Sequence, residues 1–311
     1  MCELRQAAPG ITRPALRPDL PLALRASGLQ IGAGSVALYA PDVAPGALAW
    51  LRTIDGTRSW EQLDEEFTQA GPVDCATARR LLRLLTTAGG LDDAASLPRH
   101  WRWVSAEHRL DHLGDRTAAA WLYRDPHAAD VRMERRHAHT VGVRGDGQLA
   151  DAVRAALERS GLSTTEQLAD AWVIVTPGPP DVVVDPGPGV DETPHLVCSL
   201  TGCRGVVGPL VVPGRTSCLR CRHLHLLDAD PEWPLIALQL AGQRRLGQPS
   251  DRLLVDLLAT FTALTLRRWV DEPEDIDAWG NIAMEVALPD GRPTMVHRPP
   301  HPACGCQWPQ A

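Results

Sequence analysis

Apolar positions change period once between residues 17 and 93, near Pro45. "LPLALRA", "GLQIG" and "SVALYA" are short apolar-rich pieces separated by Ser-Gly and Gly-Ala-Gly turns, and predict three short strands. From Pro45 the spacing becomes helical. "APGALAWLRTI" predicts a first helix. "RSWEQLDEEF" predicts a second, with Ser59 and Gln62 spaced as a capping box. "DCATARRLLRLLTTAGG" predicts a third, capped by Asp74 and ended by Gly89 and Gly90. In this helix Ala78, Leu81, Leu82 and Leu85 recur at helical spacing and form a buried stripe. Arg79, Arg80 and Arg83 fall on the other side. Three strands and three helices within 15–93 predict an α+β, winged-helix-like module.

Residues 94–137 are polar, rich in Arg and His and partly helical, and read as a connector. Residues 138–311 read as an α/β domain of Rossmann type with a mostly parallel sheet. "HAHTVGVRGDGQLADAVRAALERSG" is a strand, a glycine turn and a helix. "AWVIVT" and "DVVVD" read as buried parallel strands. "PHLVCSLTGCRGVVGPLVVPG" gives further strands, then two apolar helices follow. "NIAMEVALPDGRPTMVHR" predicts a hairpin turning at Asp290-Gly291.

Composition narrows the chemistry. All 31 cationic side chains are arginine. A phosphate-binding P-loop lysine or a Schiff-base lysine is therefore excluded. The net charge of −7 disfavours a nucleic-acid binder. Residues 15–92 carry seven arginines against nine acids, so the winged-helix-like module is itself no phosphate clamp. No apolar run approaches the ~20 residues of a membrane span, and the start lacks a secretory h-region, so a cytoplasmic location is expected, with no membrane partner.

Two cysteine pairs stand out. Cys218 and Cys221 form CxxC, and Cys304 and Cys306 form CxC. Both spacings let two thiolates reach one tetrahedral zinc. The alternative is two separate redox pairs, but Pro213 and Gly214 put the CxxC after a loop rather than directly after a strand, and CxC is strained as a disulfide. The pattern favours one closed, structural Zn2+ site. Cys2, Cys75, Cys198 and Cys203 show no such spacing and read as ordinary thiols. His223 and His225 read as surface or supporting groups.

The turn Gly145-Asp-Gly147 with Ala150 is a degenerate form of the dinucleotide fingerprint. A tight turn needs glycine with or without a ligand. Asp146 would repel a phosphate, and the acidic residue about 20 positions on, Glu166, lies in a polar stretch. No cofactor-binding role is assigned to Gly145 or Gly147.

"VGPLVVPGRTSCLRC" followed by "HPACGC" resembles the ThiF-like, ubiquitin-activating-like partner proteins of azoline-forming natural-product clusters. These are the leader-peptide-binding or cyclodehydratase partner proteins of thiazole/oxazole-modified microcins. The N-terminal module resembles their PqqD-like recognition element, and the likeness spans nearly the whole chain. It implies that Cys218, Cys221, Cys304 and Cys306 hold structural zinc. It also implies that the first module binds the leader of a ribosomally made precursor, and that a YcaO-type cyclodehydratase in a separate chain does the ATP-dependent ring formation. The protein itself would be non-catalytic; a homodimer is left open. The leader would add a strand beside "SVALYA", meeting Val36, Leu38 or Tyr39 and the arginines 79, 80 and 83 of the third helix. The three arginines are equally readable as a solvated face. The rival functions are a catalytically active adenylating enzyme of the same fold and a winged-helix nucleic-acid binder.

Overall fold

The computed structural model describes residues 2–17, 20–34, 37–70, 73–96, 114–116, 118–120, 122–123, 126–178, 192–242 and 251–306. Val36 and the predicted strand "DVVVD" lie outside these residues, as does much of the predicted connector. The chain divides into two compact units, Met1–Glu134 and Arg135–Ala311. Among the described residues no helix is long and apolar enough to cross a membrane.

The first unit opens with a 3-10 turn, Leu4–Ala7. Strands β1 (Pro14–Leu16) and β5 (Leu91–Asp93) pair with each other. Strands β2 (Leu22–Arg25), β3 (Gly28–Ile31) and β4 (Leu38–Pro41) form an antiparallel sheet in that order. Helices α1 (Gly46–Leu51), α2 (Trp60–Ala70) and α3 (Cys75–Thr87) complete it. The capping box forms: Ser59 N–H donates to Gln62 Oε1 at 2.9 Å and Gln62 N–H to Ser59 Oγ at 3.4 Å. Asp74 caps α3 by accepting from Thr77 N–H at 2.9 Å. Gly89, at φ +66°, takes the left-handed conformation that stops the helix. Ala78, Leu81, Leu82 and Leu85 are fully buried, as their spacing predicts. They join Leu29, Ile31, Leu51 and Trp60 in one core.

One expectation fails here. Cys2 and Cys75 are joined as a disulfide, with Cα atoms 5.4 Å apart and 73 positions between them. Sequence spacing could not reveal this pairing, because it is made by the N-terminal segment folding back on α3.

The second unit begins within α4 (Pro126–Ala138). Its seven-stranded sheet runs β12-β11-β10-β9-β8-β6-β7. The strands are β6 (Thr140–Arg144), β7 (Ser163–Thr165), β8 (Ala171–Pro177), β9 (His195–Thr201), β10 (Arg204–Val211), β11 (Ile282–Ala287) and β12 (Arg292–His297). The expected mostly parallel sheet is only half right: β7, β6, β8 and β9 are mutually parallel, and the three pairings from β9 to β12 are antiparallel. For two of the three antiparallel pairings the reason is connection length. β9–β10 and β11–β12 are joined by short turns containing left-handed Gly202 and Gly291, and parallel neighbours need a longer crossover. Helices α5 (Gln148–Arg159) and α8 (Arg252–Asp271) pack together against the sheet over Val153, Leu157, Val173, Leu196, Leu258 and Leu266. Helices α6 (Leu219–Ala229), α7 (Trp233–Gly242) and α9 (Ile276–Trp279) complete the unit.

A buried bidentate ion pair ties the end of α4 to the end of α8. Arg136 Nε and Nη2 donate to the two Asp271 carboxylate oxygens at 2.7 and 2.5 Å, and both side chains are at most 5% exposed. Removing one partner leaves a buried charge, so Asp271→Asn should cost about 3–5 kcal/mol, whereas Arg136→Met with Asp271→Leu should cost much less. Urea unfolding of the three proteins checks the order; a single variant no worse than the double would contradict it.

Candidate metal centre and recognition edge

The cysteine pairs converge from opposite ends of the second unit. The loop after β10 is built by Thr216, whose hydroxyl donates to Leu210 C=O and accepts from Val212 N–H, both at 2.7 Å. Asn281 Oδ1 accepts from Ser217 N–H at 2.7 Å, and Asn281 C=O accepts from Arg298 N–H at 2.7 Å. One residue thus aligns both chain segments that carry cysteines. Cys218 is the N-cap of α6 and Cys221 lies in its first turn, where the helix dipole favours thiolates. Gly305, at φ +75°, separates Cys304 from Cys306 in a backbone conformation that side chains resist.

The sulfurs lie 3.8 Å (Cys218–Cys221), 3.5 Å (Cys218–Cys304) and 3.3 Å (Cys221–Cys306) apart, and all four lie within 4.8 Å of one another. An ion with four bonds of ~2.3 Å in a tetrahedron has a ligand–ligand edge of about 3.8 Å. The donor set therefore fits a metal ion. Electrostatics agree. Burial, then the neighbouring Cys218 and Cys221 sulfurs, push the Cys304 thiol up to about 11. Burial and Cys221 push Cys306 up further. Burial works in the same direction on Cys221, but backbone N–H groups of His301 and Cys218 outweigh it and hold that thiol down. Ionising all four at this spacing would call for a cation among them.

Supporting groups latch the C-terminal segment onto α6. His301 Nδ1 accepts from Ala303 N–H at 3.1 Å, which fixes the proton on Nε2, where it is donated to Asp228 at 2.8 Å. His225 Nε2 donates to Pro299 C=O at 2.9 Å, and its ring stacks edge-on with His301, centroids 4.7 Å apart. His225 is thus a supporting group, as expected; His223 lies on the same helix. Sequence reasoning missed His301, Asp228 and Asn281. The only signal was His301 standing three residues before the CxC.

The other candidate site is the β4 edge of the first unit. Asp42 N–H donates to Ser27 C=O at 2.9 Å, which sets the phase of the β3–β4 ladder. Leu38 and Ala40 turn their N–H and C=O toward β3, and Tyr39 turns its pair to the free edge. Among the described residues no strand pairs there. Leu38 packs against the core, Ala40 is buried, and exposed Tyr39 donates its hydroxyl to Ser27 C=O at 2.6 Å. In β4, Leu38 therefore faces inward and Tyr39 outward. Helix α3 lies beside β4. Arg80 Nη2 donates to Pro41 C=O at 2.7 Å, closing the far end of the edge. Arg79 and Arg83 hydrogen-bond the preceding turns of α3, at Cys75 C=O and Arg79 C=O. Of the three, only Arg83 is exposed, and Arg79 and Arg80 are half-buried.

At the glycine turn, Gly145 sits at φ +121° with any Cβ 2.5 Å from Val175 C=O, and Gly147 at φ +89°. Backbone geometry alone demands both. Glu166 follows directly on edge strand β7, so the polar stretch that holds it begins at a strand end.

No protein-family profile and no curated protein sequence matches the chain. Solved structures do. A heterocyclase in complex with substrate and cofactor aligns over 93% of this chain and 38% of its own, with a TM-score of 0.63 at 14% identity. The heterocyclase TruD aligns over 95% of this chain and 42% of its own, with a TM-score of 0.64 at 15% identity. MccB of E. coli aligns over 96% and 97%, with a TM-score of 0.61 at 12% identity. MccB has also been solved with MccA and with ATP. The mixed α/β fold is the one these proteins share, and the chain spans about two fifths of the length of the heterocyclases.

One metal ion per chain is the expected content of this centre. Cys304→Ser should lose it and loosen the 298–306 segment, read by metal analysis and thermal unfolding. A Cys304→Ser protein with full metal and unchanged stability would contradict the four-thiolate site.

Proposed function

We propose that this chain is the recruiting subunit of an azoline-forming system. Its N-terminal unit binds the leader of a ribosomally made precursor as an added strand on β4. Its second unit, clasped by structural zinc, presents that precursor to a separate YcaO-type cyclodehydratase and activates it. The observation that carries this reading is the coverage of the likeness. Nearly the whole chain shares its fold with a heterocyclase solved with substrate and with MccB solved with MccA. On this reading, ring formation belongs to a separate cyclodehydratase. The winged-helix-like, PqqD-like character of the first unit belongs to the same proposal, supported by its three-stranded sheet, three helices and free β4 edge. Zinc is the ion proposed for the cluster, since a tetrahedral four-thiolate set selects zinc or iron.

Within β4, Tyr39 offers both its N–H and its C=O to the edge, whereas Pro41 has no N–H and its C=O accepts from Arg80. Side-chain contacts to Leu38 and to α3 therefore carry much of the affinity. Charge reading falls to Arg79 and Arg83, each exposed pair with a leader carboxylate contributing ~0.2–1 kcal/mol.

A second reading keeps nucleotide chemistry in this chain. Glu166 at the end of β7 and MccB solved with ATP favour it. The absence of lysine and the carboxylate of Asp146 inside the turn weigh against it. The recruiting reading predicts no ATP–pyrophosphate exchange by the isolated chain. Exchange that survives repurification would favour the second reading.

For the peptide site, Arg79→Gln with Arg83→Gln should weaken binding of a labelled leader several-fold and flatten its salt dependence, with the fold intact. Fluorescence polarisation measures this. Unchanged affinity would return the arginines to solvent, and binding that survives deletion of residues 1–93 would overturn the placement.

A further inference from the structure

We propose that the Cys2–Cys75 bond is a reversible redox latch on α3, exchanged with low-molecular-weight thiols such as glutathione. As regulation of peptide recognition, it rests on the reading above. Eight cysteines are present, and six are accounted for differently: four converge in the metal centre, Cys198 is fully buried and Cys203 stands exposed and unbonded. Cys2 and Cys75 remain, and they join the N-terminal segment to the first residue of α3.

The position is what makes the bond consequential. Cys75, Arg79 and Arg83 follow one another at i, i+4 and i+8, so they share one stripe of the helix. Arg79 Nε donates to Cys75 C=O at 3.4 Å, and Arg83 Nε to Arg79 C=O at 3.3 Å. The disulfide therefore sits at the head of the arginine stripe beside β4.

The bond can open without unfolding the unit. Leu4 and Ala8 are fully buried, and Leu4 N–H donates to Asp64 at 3.0 Å. Thr86 Oγ1 donates to Ala7 C=O at 3.2 Å. These contacts hold the segment close when the sulfurs part, so reclosure stays local. Access is one-sided. Cys2 is 3% exposed, whereas Cys75 is half-buried. A glutathione thiolate attacks Cys75 Sγ, forms a mixed disulfide there and releases the Cys2 thiolate, which takes up a proton. A second glutathione thiolate attacks the mixed disulfide, frees Cys75 and leaves as glutathione disulfide. Two electrons pass from glutathione to the protein, and the reverse sequence closes the latch.

The experiment uses the full chain as purified, equilibrated across reduced-to-oxidised glutathione ratios. Alkylation and peptide mapping read the Cys2–Cys75 bond separately from the metal-centre cysteines. Hydrogen exchange reads α3. The latch predicts a two-electron transition at this pair. On reduction, exchange at the first-turn amides of Thr77 and Ala78 should speed by roughly tenfold or more, and the first unit should melt at lower temperature. Cys2→Ser, which leaves α3 itself untouched, should show the reduced exchange pattern at every ratio. Cys2 and Cys75 that are both alkylated at every ratio, or exchange in α3 that is identical in the two forms, would overturn the proposal. No readout uses the peptide. Leader binding by a chain lacking residues 1–93 would therefore sink the recognition reading without touching this result.

Discussion

Convergence of distant segments on one cluster of thiols is the constraint on which the second unit depends. Four cysteine sulfurs meet within 4.8 Å, two from the start of α6 and two from the segment following β12. Their thiols resist joint ionisation, as the raised Cys304 and Cys306 show. A cation bound among them would turn that resistance into a clasp across 83 positions of chain. Around it, Asn281, His301 and His225 orient both segments through backbone and side-chain hydrogen bonds. The β11–β12 hairpin starts and ends at those anchors, so its open end is fixed beside the cysteine cluster.

Local signals were legible in the sequence because they act over a few residues. Ser59 with Gln62, Asp74, Gly89 and the stripe Ala78–Leu81–Leu82–Leu85 each follow from one turn of helix geometry. The CxxC and CxC pairs were legible too, since metal ligation restricts spacing. What escaped were relations between distant segments. The Cys2–Cys75 bond depends on the N-terminal turn lying across α3. The antiparallel half of the sheet depends on which strands become neighbours. Arg80 looked like one of three equivalent surface charges, but its contact with Pro41 C=O makes it a brace between α3 and β4.

The first unit carries the opposite arrangement from the clasped second one. Its sheet leaves one edge unpaired among the described residues, and Pro41 with Arg80 limits how far a guest strand can extend. An edge restricted in this way resists indiscriminate self-pairing while leaving the backbone pair of Tyr39 at the edge. On the proposed function, the two units divide the work. One reads a leader through a short edge and a cationic helix, and the other provides a rigid platform for a catalytic partner.

Reconstitution tests that division most directly. Precursor peptide, ATP and the separate cyclodehydratase would be combined with and without this chain, and the precursor's mass followed. The account predicts loss of one water per ring formed only when all components are present, and no change to precursor with this chain and ATP alone. Ring formation that proceeds equally well without this chain, or modification of precursor by this chain and ATP with no partner, would contradict it.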